Sequence, residues 1–209
     1  MFSGIMKKGM IALIGMIVAL VFIIVALIGP WYSVGLKYPE AMGGKKETVD
    51  FSLTRAKGEM LGIPIDESYD NSPGMDEDTK TVFANSMYIT IIALVICILA
   101  LIGILGFVFG FGKSGTMKKL GGIFGILTFI LVIIAVFYFM TALPVKTIGG
   151  GVANDIGFWY SKSEAGTEAS MGPGYAWYLM LVAAMIALIA SIAMLLKKSA
   201  PELVAQPLQ

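Results

Sequence analysis

The sequence lacks histidine entirely, and Cys97 is its only cysteine. These two counts exclude histidine-ligated haem, the usual zinc sites, and catalysis by Ser-His-Asp or Cys-His groups. They also exclude CxxC redox chemistry and a disulfide within the chain. Because Cys97 lies in the middle of an apolar run, we interpret it as a small buried hydrophobe, with a lipidated or reactive thiol as the alternative.

Charged residues are scarce as well. They make up 14% of the 209 residues, whereas roughly 25% is usual in a soluble domain. Hydrophobic residues reach 57% of the chain, and the mean hydropathy is +0.85. This composition predicts an integral membrane protein of a single domain, with the lipid bilayer and no nucleic acid among its partners.

Four apolar runs reach the length of about 20 helical residues that crosses the hydrocarbon core of a bilayer. No Asp, Glu, Lys or Arg interrupts them, so they predict four transmembrane helices. The predicted order is a first span at 9–30, an outer loop at 31–86, a second span at 87–111, an inner loop at 112–119, a third span at 120–143, an outer loop at 144–174, a fourth span at 175–196 and a tail at 197–209.

The lysines that flank the spans predict the orientation in the cell membrane. They are Lys7, Lys8, Lys113, Lys118, Lys119, Lys197 and Lys198. Basic residues next to spans stay in the cytoplasm, so we expect both termini inside and loops 1 and 3 outside. The first run follows two lysines, as a signal peptide does, but it is longer than a usual signal region and we expect a retained helix.

The outer loops contain short β-prone segments. Segments 31–38, 48–55 and 59–65 are the predicted strands of loop 1, and in the second of them Val49, Phe51 and Leu53 alternate with polar residues. Loop 3 offers a possible strand end at 145–148. We expect the acidic segment 66–80 to be a flexible connector, and segment 161–174 to be a flexible approach to the fourth span.

Aromatic residues gather on the predicted outer side, where all three tryptophans and all eight tyrosines fall. Two interpretations fit this distribution: a belt of rings at the headgroup level, or the core of a small folded cap. IGPWYS at 28–33 and IGFWYS at 156–161 are similar, through an internal repeat or by coincidence. The predicted cap core consists of Trp31, Tyr32, Phe51, Phe158, Trp159 and Tyr160.

Small residues at spacings of three and four predict where the helices pack, because close contact rather than hydrophobicity holds helices together in lipid. These residues are Gly15, Ala19, Gly103, Gly106, Gly110, Gly121, Gly125, Ala183, Ala187 and Ala190. They favour a compact left-handed bundle with some small faces left for a partner. The predicted fold class is therefore a membrane all-α protein, a four-transmembrane-helix bundle with a small extracytoplasmic β-sheet cap built from loops 1 and 3.

The spans contain hydroxyl side chains such as Thr90 and Ser191 but no ionisable group that would serve an ion or proton pathway. We therefore expect neither a pump nor an ion-coupled transporter. The outer loops show no arrangement of carboxylate, Lys, Tyr or Ser that indicates catalysis, so we also expect no enzyme activity, no cofactor and no metal site.

The layout resembles the claudin and peripheral myelin protein class of four-span proteins. Trp31 matches the first tryptophan of that class, and Gly35-Leu36 matches a displaced fragment of its Gly-Leu-Trp element, while the two loop cysteines of the class are absent. The resemblance implies an outer sheet that mediates contacts between protomers in one membrane and sometimes between cells.

Two functions are therefore expected from the sequence. The first is a structural or adhesion component that assembles with copies of itself, or binds another surface protein, through its cap; a pore formed between copies is a variant of it. The second is an accessory subunit of a larger membrane transporter or respiratory complex, docked through its small-residue helix faces.

Overall fold

The computed structural model describes residues 2–69, 75–111, 114–143, 158–164 and 166–196. The elements of these residues follow the order α1 (Phe2–Ile28), β1 (Tyr32–Lys37), a short 3-10 helix (Glu40–Met42), β2 (Lys46–Phe51), β3 (Arg55–Met60), β4 (Ile63–Ser68), α2 (Glu77–Phe109), α3 (Ser114–Ala142), β5 (Tyr160–Glu164), β6 (Thr167–Pro173) and α4 (Tyr175–Leu195).

Some predicted features lie outside the described residues. They are the possible strand end at 145–148, the tail at 197–209, and three of the flanking lysines, Lys113, Lys197 and Lys198. Lys7 and Lys8 belong to α1, but their side chains are not described either.

All four helices are long and apolar enough to cross a membrane, which indicates a multi-pass membrane protein. The second helix begins well before the predicted start of its span at residue 87. Asp76 forms its N-cap, since the carboxylate accepts a hydrogen bond of 2.7 Å from the backbone N–H of Thr79. The extra turns of α2 carry Val82 and Phe83 to the end of the bundle on which the sheet lies.

The helices form a ring in which α1 and α3 each lie between α2 and α4. Glycines allow the closest contacts. A Cβ atom on Gly103 of α2 would lie 2.5 Å from the backbone N of Gly121 on α3, so these two backbones touch. Gly125 of α3 lies against the side chain of Ser191 on α4, and Gly15 of α1 lies against Ala190.

The remaining predicted packing residues divide into two groups. Ala19, Ala183 and Ala187 are fully buried, and Gly106 lies against Met117 of α3. Gly110 differs, because it ends α2 as a C-cap with φ of 74°, and nothing lies within 4 Å of a Cβ placed on it. Its role is to terminate the helix rather than to pack. The small faces of Gly103 and Gly106 are used inside the chain, which differs from the expectation that they are left for a partner.

The six strands form one antiparallel sheet in the order β4-β3-β2-β1-β6-β5. The first strand is central: Val34 lies opposite Val49 of β2 on one side and opposite Met171 of β6 on the other. The two loops predicted to lie outside therefore contribute to a single sheet, seated where α1 ends and α4 begins.

Four sequence expectations about the strands are wrong. Segment 48–55 was expected to be one strand, but β2 ends at Phe51 and β3 begins at Arg55, with a turn between them. Segment 161–174 was expected to be flexible, but it contains most of β5 and all of β6, whose order comes from backbone pairing with β1 rather than from an apolar pattern of its own. Segment 59–65 was expected to be one strand, but it contains the turn at Leu61 and Gly62, which both have positive φ. Residues 66–68, expected in a connector, end β4.

The contact between Gly103 and Gly121 predicts a matched pair of alanine variants. We expect Gly103→Ala to lower the free energy of unfolding by about 1 to 3 kcal/mol, because the new methyl group overlaps the α3 backbone. Gly115→Ala is the control: the site is helical and open, so added helix propensity predicts equal or slightly higher stability. Thermal unfolding in one detergent measures both, and equal behaviour of the two variants would contradict the close contact.

Candidate functional site

A single tryptophan joins the helices to the sheet. Trp31 is fully buried, and its indole N–H donates a 2.7 Å hydrogen bond to the carbonyl oxygen of Ala26 in the last turn of α1. Its backbone N–H donates to Phe51 at the end of β2 (2.7 Å), and its carbonyl oxygen accepts from Gly174, the N-cap of α4 (2.9 Å). One residue therefore fixes the exit of α1, the start of β1 and the entry to α4.

Aromatic rings continue from this residue across the end of the bundle. Trp31 packs edge to face on Phe139 of α3 with centroids 5.2 Å apart, and Phe139 packs in the same way on Phe83 of α2 at 5.1 Å. Such pairs contribute about 0.5 to 1.5 kcal/mol each beyond the area that they bury. We call the whole group the aromatic seat: Trp31, Tyr32, Tyr69, Phe83, Phe139, Phe158 and Trp177.

Two tyrosines of the seat donate hydrogen bonds to buried backbone. The Tyr69 hydroxyl donates to the carbonyl oxygens of Ser52 and Arg55, which closes the turn between β2 and β3. The Tyr32 hydroxyl donates to the carbonyl oxygen of Phe158 at 3.2 Å. Burial raises the pKa of Tyr32 to about 12 and also raises the pKa of Tyr69, in the direction that favours the neutral hydroxyl.

The predicted cap-core residues occupy different places in this arrangement. Trp31, Tyr32 and Phe158 are buried in the seat, while Phe51 and Tyr160 are partly buried. Trp159 differs from the expectation: it is 55% exposed and lies edge-on to Trp177 at 5.9 Å.

Trp177 takes the inner position that the sequence assigned to Trp159. It is buried, and its indole N–H donates to the carbonyl oxygen of Val136 on α3 at 3.2 Å. The sequence reasoning also missed Tyr69, Phe83 and Phe139, since each becomes part of the seat through a contact between distant elements. For Phe83, the only available signal was its place in the acidic-to-apolar transition that begins α2.

The two faces of the sheet differ in polarity. Val34, Val49 and Ala56 lie on one face and are buried. The opposite face is charged and solvated: Lys37 pairs with Glu168 at 3.2 Å, Arg55 pairs with Asp66 at 2.5 Å, and the Ser33 hydroxyl donates to Asp50 at 2.6 Å. Exposed pairs of this kind add little stability but keep the face soluble.

One carboxylate lies on the buried side of the sheet. Glu47 accepts hydrogen bonds from the Tyr38 hydroxyl at 3.1 Å and from the backbone N–H of Gly62 at 3.1 Å, and it pairs with Lys45 at 3.2 Å. Burial acts to raise the pKa of Glu47, but the hydrogen bonds from Lys45, Tyr38 and Gly62 outweigh it and the net pKa is lowered. The ionised carboxylate therefore holds the β1–β2 and β3–β4 turns together.

These two turns form the end of the sheet farthest from the helices, which we call the apex. It exposes three large apolar side chains: Met42 by 74%, Leu61 by 70% and Ile63 by 63%. Leu61 has φ of 54° and is the only non-glycine residue with positive φ in the described part of the chain. With Gly62 at φ 75° it forms a two-residue hairpin turn, in which Asn or Gly is usual at the position of Leu61.

Cysteine and acidic side chains are the remaining candidates for chemistry in the described residues. Cys97 is buried in α2, and no group of three or more Cys, Asp and Glu side chains in the described ranges could hold a metal ion. No protein-family model matches the chain, and no curated protein matches it at a significant level.

The buried indole predicts a stability difference between two tryptophans. We expect Trp31→Phe to lower the free energy of unfolding by about 2 to 4 kcal/mol, because it leaves the Ala26 carbonyl without its donor and opens space beside Phe139. The same change at the exposed Trp159 should cost less than about 1 kcal/mol. Thermal unfolding of both variants measures the difference, and equal losses would show that Trp31 does not anchor the sheet.

The lowered pKa of Glu47 predicts an acid-sensitive sheet. The ionised group contributes its full stability above its ordinary pKa of 4.5, and this contribution is lost as the pH falls through the lowered value. We expect Glu47→Gln to be less stable than the native protein at neutral pH and to lose less stability on acidification. Glu168→Gln, on the charged face, is the control. Melting temperatures between neutral and acidic pH test this, and parallel curves for native protein and Glu47→Gln would contradict it.

Proposed function

We propose that this protein is a non-enzymatic component of the cell membrane that holds copies of itself together, apex to apex, between facing membranes. The proposal rests on the backbone conformation and the exposure of Leu61. An exposed leucine with positive φ costs about 1 to 2 kcal/mol of backbone strain, and its exposed side chain regains nothing within the chain. Strain that persists at an exposed position is typical of functional sites.

The surroundings of Leu61 suit a contact between identical surfaces. Met42 and Ile63 are the other exposed apolar side chains of the apex, and Lys45 in the β1–β2 turn pairs with both Glu47 and Glu59. A surface with an apolar centre and charges of both signs around it is complementary to its own copy. Three side chains bury little area, so one pair of apices binds weakly, but many copies in two facing membranes act together.

The orientation is part of the proposal. Lys118 and Lys119 lie in the first turns of α3, at the end of the bundle opposite the sheet, and basic residues at span ends stay in the cytoplasm. The termini are then cytoplasmic, and the sheet with its apex projects from the outer surface.

The sequence also suggested an accessory-subunit function and a resemblance to a known family. The accessory-subunit function depends on small helix faces for a partner, but Gly103 contacts Gly121 and Gly106 contacts Met117 within the chain, which favours the apex. Membership of the claudin and peripheral myelin protein class stays a proposal, supported by the four-span layout, Trp31 and Gly35-Leu36.

The turn at Leu61 allows a variant that separates association from folding. Leu61→Asn removes the apolar side chain and places at positive φ a residue that tolerates it, so we expect unchanged stability or a gain of up to about 1 kcal/mol. Vesicles that contain the native protein should cluster, and vesicles that contain Leu61→Asn should not. Turbidity and dynamic light scattering at equal protein density measure the clustering.

The control is Lys46→Gln, which removes one exposed charge from β2 and leaves the three apolar side chains of the apex in place. Only protein copies whose apex lies on the outside of the vesicle can take part in clustering. The fraction of such copies is measured by the accessibility of the sheet to added protease. If Leu61→Asn vesicles cluster like native ones, the apex is not the contact surface. If native vesicles stay dispersed at high protein density, the proposed adhesion is wrong.

A further inference from the structure

A pocket of about 180 Å³ lies where the charged face of the sheet meets the end of α1. Ile28 and Pro30 form its apolar side, and Asp50, Ser52, Arg55 and Lys57 form its polar side. Its volume is below the roughly 300 Å³ at which pockets for drug-sized ligands begin. A site of this size suits one small charged group, with apolar contact on one side only.

The pocket lies at the depth of lipid headgroups. The apolar part of α1, Gly9–Ile28, has 20 residues, and a helix of that length rises about 30 Å, the thickness of the hydrocarbon core. Ile28 is therefore at the boundary, and with 78% exposure it faces lipid rather than the bundle. The polar wall of the pocket begins directly above it, at the level of the phosphates.

The polar side of the pocket carries charges of both signs, and the strand register fixes their positions. Arg55 and Lys57 are two residues apart on β3, so both point to the charged face about 6.6 Å apart. Lys57 lies opposite Asp50 of β2. Lys57 has no ion pair with any other residue in the described ranges. Arg55 pairs with Asp66 through one nitrogen, which leaves other guanidinium donors for a second acceptor.

We propose that this pocket binds the zwitterionic headgroup of a phospholipid in the leaflet on the sheet side, such as an ethanolamine headgroup. The phosphate lies between Arg55 and Lys57, where charge-assisted hydrogen bonds are available. The ammonium group lies at Asp50, whose carboxylate accepts one bond from Ser33 and retains free acceptor positions. The first methylene groups of the lipid pass Pro30 and Ile28 into the bilayer.

Native mass spectrometry of the full-length protein in mild detergent tests this site. The probes are phosphatidylethanolamine, phosphatidylglycerol and inorganic phosphate. We expect Lys57→Gln to bind both lipids roughly threefold to tenfold more weakly than the native protein. Asp50→Asn should weaken the binding of phosphatidylethanolamine but not of phosphatidylglycerol, because phosphatidylglycerol has no ammonium group.

Lys46→Gln is the matched control, since it removes the same charge from the same face at the far end of β2. It should bind both lipids as the native protein does, and circular dichroism should show all three variants folded. The proposal is overturned if Lys46→Gln and Lys57→Gln lower the affinity for lipid equally. It is also overturned if Asp50→Asn lowers the affinity for both lipids to the same extent. It is also overturned if inorganic phosphate displaces the lipid at equal concentration, which would indicate a site for soluble anions.

Discussion

The hydrogen bond from the Trp31 indole to the Ala26 carbonyl is the constraint on which the rest of the structure depends. The last carbonyls of a helix have no partner within it, and Trp31 supplies a donor from the first residue beyond the turn. The ring is thereby held against Phe139, and the chain leaves α1 in one direction. That direction defines β1, and β1 is the strand to which both halves of the sheet pair.

The helices and part of the sheet could be predicted because their signals are local. The lengths of the four apolar runs predicted the four helices, and the alternation around Val49 predicted a strand with one buried face. The hairpin of β5 and β6 has no such signal, because most of its side chains are small or polar. It is ordered by the pairing of β6 with β1 and of β5 with β6. Gly58 lies between the predicted strand segments 48–55 and 59–65, but in the structure it belongs to β3, where a Cβ would be 2.7 Å from Val49 Cα.

The aromatic seat and the apex were less predictable, because each depends on which residues the fold brings together. Trp31 and Trp159 occupy similar sequence contexts, yet only Trp31 has a helix end and Phe139 beside it. In the sequence, Phe139 cannot be distinguished from the other apolar residues of its span. Its role comes from the positions of α1 and the sheet, which bring Trp31 against it. The exposure of Leu61 likewise depends on the position of the turn between β3 and β4, which its sequence pattern does not indicate.

The central position of β1 has a consequence for how the protein is made. Lys37 of β1 and Glu168 of β6 are paired across the sheet although they are 131 positions apart. At a synthesis rate of roughly 5 to 20 residues per second, one edge of β1 has no partner strand for roughly 7 to 26 seconds after it leaves the ribosome. The meander of β1 to β4 therefore keeps an unpaired strand edge at β1 until β6 has been made.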